Sequence, residues 1–197
     1  MKKALITLAI IVIIIFIIGG WAVGVRNNLV ASEENVNQAW AQVQNVYQRR
    51  YDLIPNLVET VKGYAAQERE TFIAVTEARS KVGQIHISAD DLEDPQKFRQ
   101  FQQAQSELGA ALSRLLVVAE NYPQLKSNEN FLQLQSQLEG TENRITVERR
   151  RFNEAAQAYN TTLRKFPDNV VAGFFGFEKR PYFEAQAESQ TAPKVRF

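Results

Sequence analysis

The chain of 197 residues is poor in side chains that could perform catalysis or hold a metal ion. It has no cysteine, and its one histidine, His86, has no evident partner for metal binding or general-base chemistry. The acidic cluster at 90–94 lacks the spacing and the glycine of an EF-hand loop, so helix capping explains it better. The three arginines at 149–151 could bind phosphate, but consecutive helical residues face different directions. We therefore predict no catalytic residue, no cofactor and no metal site, and we expect that the chain is not an enzyme.

The first structural element is an uncharged apolar segment near the N-terminus. It begins at Ala4, has Ile14 near its centre and ends at Val25. As a helix it would rise ~33 Å, which is enough to cross the ~30 Å hydrocarbon core of a bilayer. We predict a single transmembrane anchor over residues 1–25. A small-x-small site at 20–22 leaves a cleaved signal peptide as the alternative.

Charges around this segment predict its orientation and argue against one class of partner. Lys2 and Lys3 precede it, whereas Arg26 is the only basic residue in the ~20 positions that follow. By the positive-inside rule, the rest of the chain lies on the non-cytoplasmic side of the membrane. The formal net charge of +1 is not the basic footprint of a nucleic-acid-binding protein, so we expect no nucleic-acid partner.

Residues 26–167 repeat apolar side chains at the three-to-four-residue spacing of helices, and strand signals are scarce. This pattern predicts an all-α fold, in which a single N-terminal transmembrane helix precedes an up-and-down four-helix bundle with long helices. The predicted bundle helices are 26–51, 55–82, 95–121 and 127–166. In the last helix an apolar residue recurs at every seventh position, as a seam that packs against partner helices: Phe131, Leu138, Ile145, Phe152, Tyr159 and Phe166.

Pro55 determines the number of helices in the bundle. If residues 51–54 form a turn, Pro55 begins the second helix, where a proline costs little, and the bundle has four helices. If Pro55 only kinks one continuous helix, the bundle has three. We predict the turn, and an even number of helices then returns the last helix to the membrane end.

The run at 49–64 resembles the signature of the LemA family of bacterial membrane proteins. Shorter matching stretches cover nearly the whole chain and lie at 76–79, 152–153, 159–160 and 173–177. The resemblance implies a single N-terminal membrane helix, a four-helix up-and-down bundle and a place in the bacterial inner membrane. It implies no reaction, since the family has no established general activity.

The predicted turn before Pro55 creates a candidate partner surface at the tip of the bundle that lies far from the membrane. Its residues would be Arg49, Arg50, Asn56, Lys62 and Tyr64. A structural role in turns and caps is the alternative interpretation of the same residues.

The tail at 168–197 is first apolar and then polar. If the last helix returns to the bilayer, the apolar part would insert aromatic rings while its cations meet lipid headgroups. The candidate membrane contacts are Phe174, Phe175, Phe177, Lys179 and Arg180. The alternative is that this segment folds back over the open end of the bundle.

Together these features predict a membrane-anchored helical scaffold or adaptor protein of the bacterial envelope. We expect it to contact the lipid bilayer, to form a homo-oligomer and to bind a further protein. Gly20 and Gly24 form a GxxxG match, which favours close helix approach within a membrane. The alternative is a membrane-remodelling protein that acts through the apolar C-terminal segment.

Overall fold

The structure of the chain, a computed structural model, describes residues 2–184, so the polar end of the predicted tail, 185–197, lies outside the described residues. Within 2–184 the chain forms helices and no strand, which confirms the predicted all-α class. The helices are α1 (Lys2–Lys62), α2 (Arg69–Gln84), α3 (Pro95–Glu120), α4 (Pro123–Lys126), α5 (Glu129–Arg164) and α6 (Asp168–Phe175), with a 3₁₀ turn at Asp90–Glu93 before α3.

The predicted turn before Pro55 is wrong, because α1 continues through this proline and ends at Lys62. A proline inside a helix has no N–H for the carbonyl four residues earlier, which here belongs to Tyr51. Arg79 of α2 supplies the missing donor, since its Nε donates to the Tyr51 carbonyl at 3.4 Å. The Arg79 guanidinium also lies 3.9 Å from the centre of the Tyr51 ring. A side chain from the next helix therefore lets α1 remain continuous, and the first connection falls at 63–68.

We expect this compensation to be measurable as a coupling between positions 55 and 79. Arg79→Met should lower the free energy of unfolding by about 1–2 kcal/mol, because the half-buried Tyr51 carbonyl loses its donor. In a Pro55→Ala background the alanine N–H serves that carbonyl, so the same change should cost about 1 kcal/mol less. Urea unfolding in detergent, followed by Trp40 fluorescence in a Trp21→Phe chain, measures both. Equal costs in the two backgrounds would contradict the compensation.

Four long helices still form the bundle, although with different bounds from those predicted. α1 runs antiparallel to α5 over most of its length, and α2 is antiparallel to α3. We call the end of the bundle near Val25 the proximal end and the end near Lys62 the distal end. The α2–α3 connection lies well short of the proximal end, since Trp40 Nε1 and Gln44 Nε2 donate to the Ile87 carbonyl at 3.3 and 2.8 Å. The last long helix therefore returns to the proximal end, beside the N-terminal apolar segment.

The core has two parts, one aromatic and one aliphatic. The aromatic cluster surrounds Trp40, whose ring centre lies 5.3 Å from Phe101 and 5.6 Å from Phe152. Phe183, from the segment after α6, completes it at 4.9 Å from Phe98. Aliphatic side chains of α1, α2, α3 and α5 fill the distal part, including Ile54, Leu57, Val75, Leu108, Leu115 and Leu138.

The heptad prediction for the last helix holds for its first five positions. The side chains from Phe131 to Tyr159 at seven-residue intervals are all buried, mainly against α1. Phe166 is an exception, because its side chain is 84% exposed. α5 ends at Arg164, so residue 166 lies beyond the helix and cannot continue its seam. Its placement in the core was wrong, and it becomes part of an exposed surface described below.

Candidate membrane-contact site

The N-terminal third of α1 extends away from the bundle with its apolar side chains exposed. Ile14 is 48% exposed and Phe16 is 76% exposed, and none of the most apolar stretch is buried. This helix is long and apolar enough to cross a membrane by length and composition. Val25, which was predicted to end the membrane segment, is instead the first residue buried in the bundle core. Ala4 belongs to the same helix, and its side chain lies outside the described part.

α6 places a second apolar surface at the level where the exposed part of α1 ends. Asp168 lies in its first turn, and Gly176, with φ of +74°, ends it in the left-handed conformation that favours glycine. One face of α6, with Val171 and Ala172, is buried in the same cluster as Val25. The Arg26 guanidinium lies 5.4 Å from the centre of the Phe175 ring, which ties α6 to this turn of α1.

The other face of α6 is apolar and open. Val170 and Phe174 lie one turn apart, and the Phe174 side chain is 83% exposed. Phe166 precedes α6 and is exposed as well. We call Phe166, Val170 and Phe174 the apolar tip. The predicted apolar segment of the tail included Val170 and Phe174 but not Phe166, although Pro167 already indicated that Phe166 lies past the end of a helix.

Not every predicted membrane contact is available for this role. Phe175 and Lys179 are exposed, whereas Phe177 is partly buried against the aromatic cluster. Arg180 is buried, and its prediction as a headgroup ligand is wrong. Its Nη2 lies 2.6 Å from Glu33 and its Nη1 lies 2.8 Å from Glu93, so both ends of the guanidinium are committed to carboxylates within the fold.

The ion network around Arg180 fixes the segment that follows α6. Its guanidinium carbon lies 5.8 Å from the centre of the Tyr159 ring. Burial, together with the nearby Glu33 carboxylate, raises the pKa of Tyr159 to about 12. The phenol therefore stays neutral and adds no negative charge to the site. Arg180 is the cation that balances the carboxylates of Glu33 and Glu93. This part of the predicted tail thus folds back on the bundle, as the alternative interpretation expected.

The candidate partner surface is dispersed along the bundle. Arg50 is only 4% exposed and was wrongly placed on a surface, because α1 turns it towards α3 and α5. Arg49, Asn56 and Lys62 are exposed but lie about two turns apart along one helix, with ~20 Å between the first and the last. Tyr64 lies at the distal end, where its hydroxyl accepts a hydrogen bond from Asn128 at 3.0 Å.

The polar clusters considered for chemistry serve structural roles. Asp94 caps α3 by accepting from the N–H groups of Gln96 and Lys97, as predicted. Lys97 and Ser88 hold the pKa of Asp91 well below its usual range, with Lys97 Nζ 2.5 Å from the carboxylate. Among residues 2–184, no group of three or more histidine, aspartate and glutamate side chains is placed to hold a metal ion.

The arginines at 149–151 face different directions, as expected for consecutive helical residues, with one packed and two at the surface. Arg149 lies 4.7 Å from the centre of the Phe183 ring and donates to the Glu184 carbonyl at 3.1 Å. The other two face outward and pair with glutamates of their own helix. They do not converge on a single anion site.

The exposed apolar part of α1, which continues into the helical bundle, places the chain in the class of membrane-associated helical proteins. The profile of the LemA family matches residues 39–197, and the chain therefore belongs to the LemA family. Magnetosome proteins MamQ 1 and MamQ 2 of Paramagnetospirillum magneticum are each 28% identical to it over 181 residues, which cover 84% of the chain and 66% of each relative. Protein LemA of Metamycoplasma hominis is 26% identical over 150 residues, 76% of the chain and 64% of that relative. The chain thus spans slightly less than two thirds of the length of these curated relatives.

Proposed function

We propose that the chain is a single-pass scaffold protein of the bacterial inner membrane whose bundle rests on the bilayer at two points. The first is the apolar part of α1, and the second is the apolar tip. The observation that carries the proposal is the 83% exposure of Phe174 beside the last exposed turns of α1. Burying such a ring in lipid recovers about 1.5–3 kcal/mol, which favours a bundle held upright against the surface.

Cations around the apolar tip support this placement. Arg26, Arg164, Lys165 and Lys179 are all exposed at the proximal end. Basic side chains at the headgroup level are attracted to anionic lipids and complement shallow insertion of apolar side chains. We place the bundle on the non-cytoplasmic side, and protease protection in intact against lysed cells distinguishes the two orientations.

Self-association through α1 is part of the proposed scaffold role. A Cβ added to Gly20 or Gly24 would meet nothing within 4 Å, so a second α1 has room to approach this face. Gly20→Leu should then shift the full chain towards monomer in mild detergent, measured by light scattering. Gly140→Leu is the matched control, because an added Cβ at Gly140 would also meet nothing within 4 Å.

The contact between the apolar tip and lipid is tested by fluorescence quenching in the full chain. In a Trp21→Phe background, Phe174→Trp places a reporter at the tip, while the buried Trp40 provides an internal reference. We expect bilayers brominated near the headgroups to quench most of the added emission, because the ring lies in lipid. Val117→Trp, exposed near the distal end of α3, should remain unquenched. Equal behaviour of the two reporters would refute the second contact.

The same apolar face favours membrane remodelling as a second candidate function. Shallow insertion of Phe166 and Phe174 would expand one leaflet and bend the bilayer. Vesicles carrying the full chain should then change shape under electron microscopy, and Phe174→Ser should abolish the change. Vesicles of unchanged shape would exclude membrane remodelling, and the scaffold role would be the remaining candidate.

A further inference from the structure

The outward face of α1 has a regular stripe of uncharged residues next to the apolar segment. Its members alternate four and three residues apart, which is the heptad spacing of a helix that packs against a second helix. All seven members are exposed, and five of them are asparagine or glutamine. We call them the outer stripe: Gly24, Asn28, Ala31, Asn35, Gln38, Gln42 and Asn45.

The bundle leaves the outer stripe open. Buried residues of α1, such as Val36 and Val43, lie at least ~100° around the helix from each member of the stripe. A Cβ added to Gly24 would meet nothing within 4 Å. From Gly24 to Asn45 the helix rises ~32 Å, so a second helix has room to contact the stripe over about six turns.

The charged residues of α1 between positions 24 and 45 all lie off the outer stripe. The Arg26 guanidinium lies over the Phe175 ring, and Glu33 pairs with Arg180. Glu34 flanks the stripe, at a position where coiled coils commonly have a charged residue. The stripe itself is therefore a polar surface without charge.

This absence of charge ends with the stripe. Arg49 and Asp52 occupy the next two positions of the same spacing. The other long helices of the bundle also have charged residues on their exposed faces, including Glu77 of α2, Arg99 of α3 and Arg144 of α5. Depletion of charge is typical of the centre of a protein interface, so the outer stripe differs from the rest of the surface in the way an interface does.

The chemistry of the outer stripe favours a second copy of the same chain as the occupant. In a parallel two-fold pair of helices, each residue on the seam faces the same residue of the other helix. A charged seam would oppose like charges, whereas an amide both donates and accepts and can pair with its own copy. Gly24 and Ala31 allow the two backbones to approach closely.

We propose that the outer stripe binds a second copy of this chain, so that two α1 helices pack in parallel from Gly24 to Asn45, outside the membrane. The inference rests on the proposed self-association of a single-pass chain and extends that contact into the bundle domain. A shared membrane gives both copies the same direction and height. An amide seam specifies register at a cost in stability, and anchoring in one membrane compensates by raising the effective concentration of the second copy.

Single cysteines test the outer stripe, because the chain has no cysteine of its own. In the parallel pair, Gln38→Cys brings two thiols face to face near bonding distance. The matched control is Gln157→Cys, exposed on α5 at a similar height, since Phe152 of α5 packs against Trp40. In vesicles carrying the full chain under mild oxidation, we expect Gln38→Cys to form interchain disulfides at least about ten times faster than the control.

Three results would overturn the proposal, and they separate it from the self-association on which it rests. Equally slow rates at positions 38 and 157, in a chain that light scattering shows to be dimeric, would exclude the outer stripe but leave self-association. Equally slow rates in a monomeric chain would exclude both. Disulfides that join a chain with Ala31→Cys to one with Asn45→Cys would exclude the parallel register, because those levels are ~21 Å apart.

Discussion

Arg50→Met is expected to lower the free energy of unfolding of the full chain by about 2–3 kcal/mol, although methionine keeps an unbranched apolar stem at this position. Arg50 Nη1 lies 2.9 Å from Glu142 Oε1, and its Nη2 donates to the Gln105 carbonyl at 3.1 Å and also to Gln105 Oε1. Methionine fills part of the space but leaves the buried Gln105 without its donor. The estimate stays below that for a fully buried pair, because the Glu142 side chain is 43% exposed and can return to water.

The neighbouring Arg49 provides the control for this prediction. It has the same side chain on the adjacent position of α1 but is exposed. Arg49→Met should change the free energy of unfolding by less than about 0.5 kcal/mol. Urea unfolding followed by Trp40 fluorescence, again without Trp21, compares the two variants. Similar stabilities for both would mean that the Arg50 network does not hold α1, α3 and α5 together.

Arg50 also shows how far the sequence could predict this molecule. Apolar positions on α1 recur at Val36, Trp40, Val43, Tyr47 and Ile54, and position 50 falls in the same stripe. The periodicity is therefore that of a buried position, but the charge of Arg50 led to the prediction of a surface residue. Its burial depends on acceptors from two other helices, and a local pattern carries no information about them. For the same reason the buried role of Arg180 was not predicted from its neighbours.

Pro55 shows a second limit of prediction from the sequence. Local rules predicted a helix break there, because the cost of an interior proline is a property of the helix alone. Arg79 offsets that cost, although it lies 28 residues after Tyr51, whose carbonyl it binds. The heptad of α5, in contrast, was predictable from Phe131 to Tyr159 because burial and periodicity coincide within one helix. It failed at Phe166, where Pro167 had already ended the helix.

Phe183→Ala is expected to lower the free energy of unfolding by about 3–4 kcal/mol, the cost of removing a phenylalanine from a packed core. Its ring is buried and lies 4.9 Å from Phe98 and 5.4 Å from Phe152, centre to centre. The strap, residues 177–184, brings Phe183 into the aromatic cluster that α1, α3 and α5 form together. Losing this ring should therefore both open a cavity and release the strap. Cleavage by trypsin after Lys179 should then become faster.

Phe174→Ala separates these effects from the loss of a phenylalanine as such. It removes the same ring from the same C-terminal segment, but at an exposed position outside the core. In detergent its free energy of unfolding should stay within about 0.5 kcal/mol of the parent, and trypsin cleavage should not accelerate. If Phe183→Ala lowered the free energy of unfolding as little as Phe174→Ala, the aromatic cluster would be stable without residues 177–184. A large difference would make the segment after α6 part of the bundle core, anchored by the backbone hydrogen bonds that it makes with Asn153 and Asn160 of α5.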